Sequence, residues 1–166
     1  MKKLLLIPTM LFPYSFGLFS LIYVSSLDAD FAEYILLGFF ALPLISSLIC
    51  NIIFMLLSRK DDAHSLIGAA LLVKLVHIPS YIFIFLLGVG ASIMIFMTFA
   101  LILMLILFDY MVLASSGMIS VFALAKNIKN NKILSVIALI CQFFFCADVI
   151  SLFVLWKNSK NSTAKA

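Results

Sequence analysis

The sequence predicts an all-α, polytopic transmembrane helix bundle, and three observations carry that expectation. The chain of 166 residues is 66% hydrophobic and only 11% charged, whereas soluble domains carry about 25% charged residues. Its mean hydropathy of +1.28 leaves too little polar surface to cover a soluble fold of this size. The apolar residues also fall into runs of about 20 or more, the length a helix needs to cross a hydrocarbon core of about 30 Å. The expectation is one transmembrane domain over residues 1–166 with five spans, at 4–25, 34–57, 65–87, 93–125 and 133–156.

The first run follows Met1-Lys2-Lys3 and ends near Ser25-Ser26, which imitates a secretory signal peptide. Its apolar stretch exceeds the usual signal core of about 7–15 residues. Pro8 and Pro13 interrupt it, so it is read as a retained, kinked span. An acidic connection, Leu27-Asp28-Ala29-Asp30-Phe31-Ala32-Glu33, leads to the second run, which contains Pro43. The polar segment Ser58-Arg59-Lys60-Asp61-Asp62-Ala63-His64 precedes the third run, and Gly88-Val89-Gly90-Ala91-Ser92 reads as a turn after it. The fourth run is too long for a straight span and is expected to tilt, project or bend at Ser115-Ser116-Gly117. A basic loop from Lys126 to Lys132 leads to the fifth, which closes on Trp156-Lys157 as an interfacial anchor.

Charge sets the expected orientation and partners. Ten lysines and Arg59 give a net charge of +4, and they cluster beside apolar runs. That placement fits topology signals and anionic lipid rather than nucleic acid. The expected partners are the lipid bilayer and either another membrane protein or further copies of the chain. With the N-terminus cytoplasmic in a multi-pass cell-membrane protein, Lys2, Lys3, Arg59, Lys60, Lys126, Lys129 and Lys132 lie inside. Five spans then leave Lys157, Lys160 and Lys165 outside, a discord that an even number of crossings would remove.

Ionisable residues within spans are costly and are functional candidates by default. Here they are Lys74, His77, Asp109 and Asp148, with Asn51 and Gln142 as uncharged polar neighbours. Counting about 1.5 Å per residue along uninterrupted helices places Asp109 and Asp148 at matching depth. A carboxylate pair that shares a proton or holds a cation follows, with His77 near enough to join a relay. Lys74 is expected to reach back to the cytoplasmic headgroups. The competing expectation is that each aspartate is protonated and hydrogen-bonded, holding the bundle together. Cys50, Cys141 and Cys146 lie in apolar runs without a CxxC pair, and read as small packing groups. No catalytic residue, cofactor or metal site is expected.

The stretch from Phe108-Asp109-Tyr110 through Ser115-Ser116-Gly117 to Gln142-Phe143-Phe144-Phe145-Cys146-Ala147-Asp148-Val149-Ile150-Ser151 resembles uncharacterised families of small bacterial multi-span membrane proteins. The likeness covers the C-terminal third and implies no activity. In size alone the chain is similar to the substrate-binding membrane subunits of energy-coupling-factor transporters, whose six spans and small-residue coupling motif have no counterpart here. Three non-enzymatic functions stay open: an accessory subunit, a small transporter responsive to protons or cations, and an immunity or stress-response protein.

Overall fold

The structure is a computed structural model, and it describes residues 2–15, 18, 37–93, 99–128, 132–142 and 147–163. Among these every regular element is helical. A short helix α1 (Ile7–Leu11) lies between 3-10 turns at Lys2–Leu6 and Phe12–Tyr14. Pro8 and Pro13 each sit in the first turn of an element, where a missing N–H is tolerated. A π turn at Leu37–Ala41 leads into α2 (Leu42–Leu57), with Pro43 again in the first turn. Then follow α3 (Ala63–Ile93), α4 (Phe99–Asn127), α5 (Lys132–Cys141) and α6 (Ala147–Thr163).

Helix α3 is the centre of the bundle, packing on α4, α6 and α1. One apolar cluster joins Leu66, Ile67, Ala70 and Val73 of α3 to Ile119 and Leu124 of α4 and to Leu152 and Leu155 of α6. A second joins Phe12, Ile84, Phe108 and Val112. In it the Phe40 ring meets Phe108 edge-on at 5.3 Å.

Five contacts gather one end of the bundle. Lys2 pairs with Asp61 at 2.8 Å. Lys126 donates to the carbonyl oxygens of Arg59, at 2.8 Å, and Asp61. His64 stacks on Trp156, and Asn127 donates to Ser135 at 3.1 Å. Lys2, the 58–62 turn, the end of α4, the start of α5 and the Trp156 turn of α6 therefore share one basic end.

Helix α5 leaves that end beside Asn127, and Gln142 at its far end lines a groove with α4. Helix α6 then returns. Asp148 meets Lys74, and Trp156 meets His64 and Gly68, so α6 runs antiparallel to α3 and back to the basic end. The rise from His64 to Lys74, about 15 Å, matches the length of the 10-residue α5. The pair α5–α6 is a half-depth hairpin.

The expectation of five spans is not supported. The run 133–156 is not one continuous helix, and among the described residues two helices are long and apolar enough to cross a membrane: Ala63–Leu86 and Ile106–Asn127. Two further expectations change with it. Gly88–Ser92 belongs to α3 rather than to a turn; without Pro or charge there, a glycine costs a helix only about 1 kcal/mol. Helix α4 continues through Ser115-Ser116-Gly117, where both hydroxyls bond back to the Val112 carbonyl. The acidic connection at 27–33 lies outside the described residues.

Polarity runs inside out. Thr9, Ser47, Asn51, Lys74, His77, Ser115, Ser120 and Asp148 are buried, while Leu75, Ile82, Phe85, Leu107, Ile137 and Ile150 face outward.

Candidate functional site

The site is built where the start of α6 meets α3. Lys74 occupies the middle of α3, and Asp148 the first turn of α6. Their Nζ and Oδ2 atoms lie 2.5 Å apart, with side chains 0% and 1% exposed. The contact is a buried ion pair. The other carboxylate oxygen, Oδ1, accepts the Val149 N–H at 2.7 Å. An anion in the first turn also meets the positive end of the helix dipole. Asp148 thus serves as the counter-ion of Lys74 and as a cap for its own helix. The desolvation of two such charges is balanced only while both are present.

His77 lies one turn beyond Lys74 and is fully buried. Its Nε2 is 2.8 Å from the Thr9 carbonyl oxygen, which can only accept, so the proton sits on Nε2. The reason is in the sequence. In an α-helical turn the Thr9 carbonyl would accept from residue 13, and Pro13 has no N–H to give. The Thr9 side chain completes a polar junction. Its hydroxyl donates to Asn51 Oδ1 at 2.6 Å and accepts from Ser47 at 3.1 Å. Asn51 Nδ2 in turn donates to the Ser115 carbonyl at 2.7 Å. Thr9 therefore ties α1 to α2 and α3, and Asn51 ties α2 to α4. Nearby, the Tyr14 hydroxyl donates to the Val76 carbonyl, beside the turn that Pro79 opens in α3.

The predicted site residues are placed as follows. Asp148 is at the centre, but its partner is Lys74 rather than Asp109, and no hydrogen bond joins the two aspartates. Asp109 is half-buried, with Oδ1 enclosed and without a hydrogen-bond partner. Tyr81, in edge contact with His77 at 6.0 Å, lies within electrostatic reach of both aspartates. Lys74 does not extend outward as expected; its side chain is buried inside the bundle. The depth estimate for Asp148 assumed an uninterrupted fifth helix, and the fold-back lowers it to the level of Lys74.

Thr9 and Ser47 were missed by reading ionisable groups alone. The signal that finds Thr9 is Pro13 four residues later, which leaves the Thr9 carbonyl seeking a donor; nothing comparable marks Ser47. Among the described residues no group of three or more metal-ligating side chains forms. No protein-family model matches the chain, and neither a characterised protein nor a solved structure is significantly similar to it.

Chemically, the arrangement can hold a hairpin closed by charge. Removing either charge leaves the other unpaired in an apolar interior, a loss of about 3–5 kcal/mol.

Proposed function

We propose that this chain is an integral membrane protein with four crossings and a re-entrant α5–α6 hairpin, and that it moves protons by opening and closing the hairpin tip. The observation that carries the reading is the sealed Lys74–Asp148 contact between a long helix and the start of a half-length one. Broken helices and intramembrane ion pairs are the recurring materials of transport sites.

The inside-out polarity and the lengths of α3 and α4 support the membrane placement. The fold-back supports the even count. It brings Lys157 to the same end as Lys2, Arg59, Lys60, Lys126 and Lys132, and the positive-inside bias makes that end cytoplasmic. The charge discord of a five-span arrangement then disappears.

With Asp148 ionised, the pair is neutral overall and the tip stays closed. A proton reaching Asp148 leaves Lys74 as an uncompensated cation, and the tip opens to let its flexible stem reach water. His77, one turn along α3, supplies Nδ1 as a relay acceptor, and Asp109 is the next carboxylate of the path. A second reading, a non-enzymatic accessory subunit in which the pair is a fixed staple, is favoured by how completely the pair is sealed.

Proton movement separates the two. Full-length protein is reconstituted into liposomes holding a pH-sensitive dye, and a pH gradient is imposed. Proton movement predicts dye responses faster than in empty liposomes, abolished by Asp148→Asn and slowed by Asp109→Asn at equal insertion. Wild-type rates equal to those of empty liposomes, or unchanged in Asp148→Asn, would establish the staple.

A further inference from the structure

The two apolar clusters of the bundle are separated by a polar layer along each long helix. On α3 the order is Val73, then Lys74 and His77, then Ile84; on α4 it is Ile119, then Ser116 and Ser115, then Val112. Pro79 falls in α3 just past that layer, on the side away from the basic end. Lacking an N–H, it leaves the Leu75 carbonyl without its helical partner, and its ring crowds that carbonyl.

The two parts of α3 that meet at Pro79 are held unequally. Before it, Leu66, Ile67, Ala70 and Val73 are buried in the first cluster. Beyond it, Ile84 alone among the described apolar side chains is buried, while Ile82, Phe83, Phe85 and Leu86 face outward. Few buried apolar contacts mark a segment that can move by itself.

A strap from the start of the chain crosses the break. Pro13 and Tyr14, adjacent in the 3-10 turn at Phe12–Tyr14, grip α3 on opposite sides of Pro79. The Tyr14 hydroxyl donates to the Val76 carbonyl at 2.5 Å, before the proline. The Ser80 hydroxyl donates to the Pro13 carbonyl at 3.4 Å, after it. His77 Nε2 adds a third bond, to the Thr9 carbonyl that Pro13 leaves without a donor.

We infer that the part of α3 beyond Pro79 is a gate that swings on the proline, and that residues 9–14 are the strap that holds it shut. Hinges are a few residues that absorb a large backbone change between parts that move as units. Opening uncovers His77 and the polar layer from the end opposite the basic one. Its use as a second access route rests on the proton movement proposed above; the gate itself does not.

Hydrogen–deuterium exchange, read peptide by peptide on the full-length protein in mild detergent, tests the gate without a transport readout. Wild-type amides 81–86 are expected to exchange faster than amides 66–73. Tyr14→Phe removes one bond of the strap and should raise exchange over 81–86 by about three- to ten-fold, leaving 66–73 unchanged. Pro79→Ala restores the N–H for Leu75 and should slow 81–86 by about three- to ten-fold. Combined with Tyr14→Phe, it should cancel the rise. Equal exchange in the two segments, unmoved by Pro79→Ala, would overturn the hinge. No rise in Tyr14→Phe, or one that spreads equally over 66–73, would overturn the strap. The exchange pattern is independent of the liposome result, so the gate and the proton movement fail separately.

Discussion

His64 and Trp156 stack with their rings 5.7 Å apart and 16° from parallel. This contact ties the start of α3 to the far part of α6, 92 residues later in the sequence, and makes the C-terminal helix return to the basic end. The indole also rests on Gly68, where a Cβ would lie 3.3 Å from Trp156 Nε1.

Gly68 therefore controls how closely α6 docks. Gly68→Ala should force a shift of a few tenths of an ångström, and Gly68→Leu should push the indole off α3. Trp156 is the chain's single tryptophan, so its fluorescence reports the change without interference. The expected result is a spectral shift and greater quenching by aqueous iodide in Gly68→Leu, with Gly68→Ala between it and wild type.

The Lys74–Asp148 pair should be destabilising to break and inexpensive to replace. Lys74→Met or Asp148→Leu alone should lower unfolding stability by about 3–5 kcal/mol. Lys74→Met combined with Asp148→Leu should recover most of that loss, because no uncompensated charge remains. Unfolding of the four proteins in one detergent checks this; additive losses in the double variant would mean that the residues do not act as a pair.

Thr9 should matter beyond its size. Thr9→Val keeps the volume but removes the donor to Asn51 and the acceptor for Ser47. The expected loss is about 1–2 kcal/mol, and Thr9→Ser should retain most of the wild-type stability. Thermal unfolding of both variants distinguishes a hydrogen-bonding role from simple packing.

The Lys2–Asp61 contact should depend on pH in one direction. Lys2, hydrogen-bonded to Asp61 and adding its charge, holds that carboxyl below the usual carboxylate range, with Ser58 and Lys126 assisting. A depressed value means that the contact is fully present above the unfolded-state value. It is lost as the pH falls through the lower, folded one. The Asp61 carboxyl resonance, followed by NMR, should titrate below ordinary aspartate, and Lys2→Ala should return it toward the normal range.

Composition and run length made the helical class legible, because the balance of apolar and polar residues in this chain favours lipid over water as solvent. The buried positions of His77 and Asp148 were legible as ionisable residues in apolar runs, whereas Lys74 was expected to reach outward and is buried instead. The Lys74–Asp148 pairing was not legible, since it depends on where the fifth run reverses. Between Gln142 and Ala147 no proline or glycine marks a break. Two weaker signals were present: Asp148 fits the first turn of a new helix, and the lysines after Trp156 sat on the wrong side of five spans. The helical course of Gly88–Ser92 was likewise hidden, because two glycines read as a turn although each costs a helix only about 1 kcal/mol.

The central claim is that α5 and α6 form a hairpin returning to the basic end. Its most direct measurement is a pair of reporters fused after Ala166, one active only in the cytoplasm and one only after export. The fold-back predicts activity of the cytoplasmic reporter alone, matching a tag placed before Lys2. Activity of the exported reporter, with the tag before Lys2 still cytoplasmic, would contradict it.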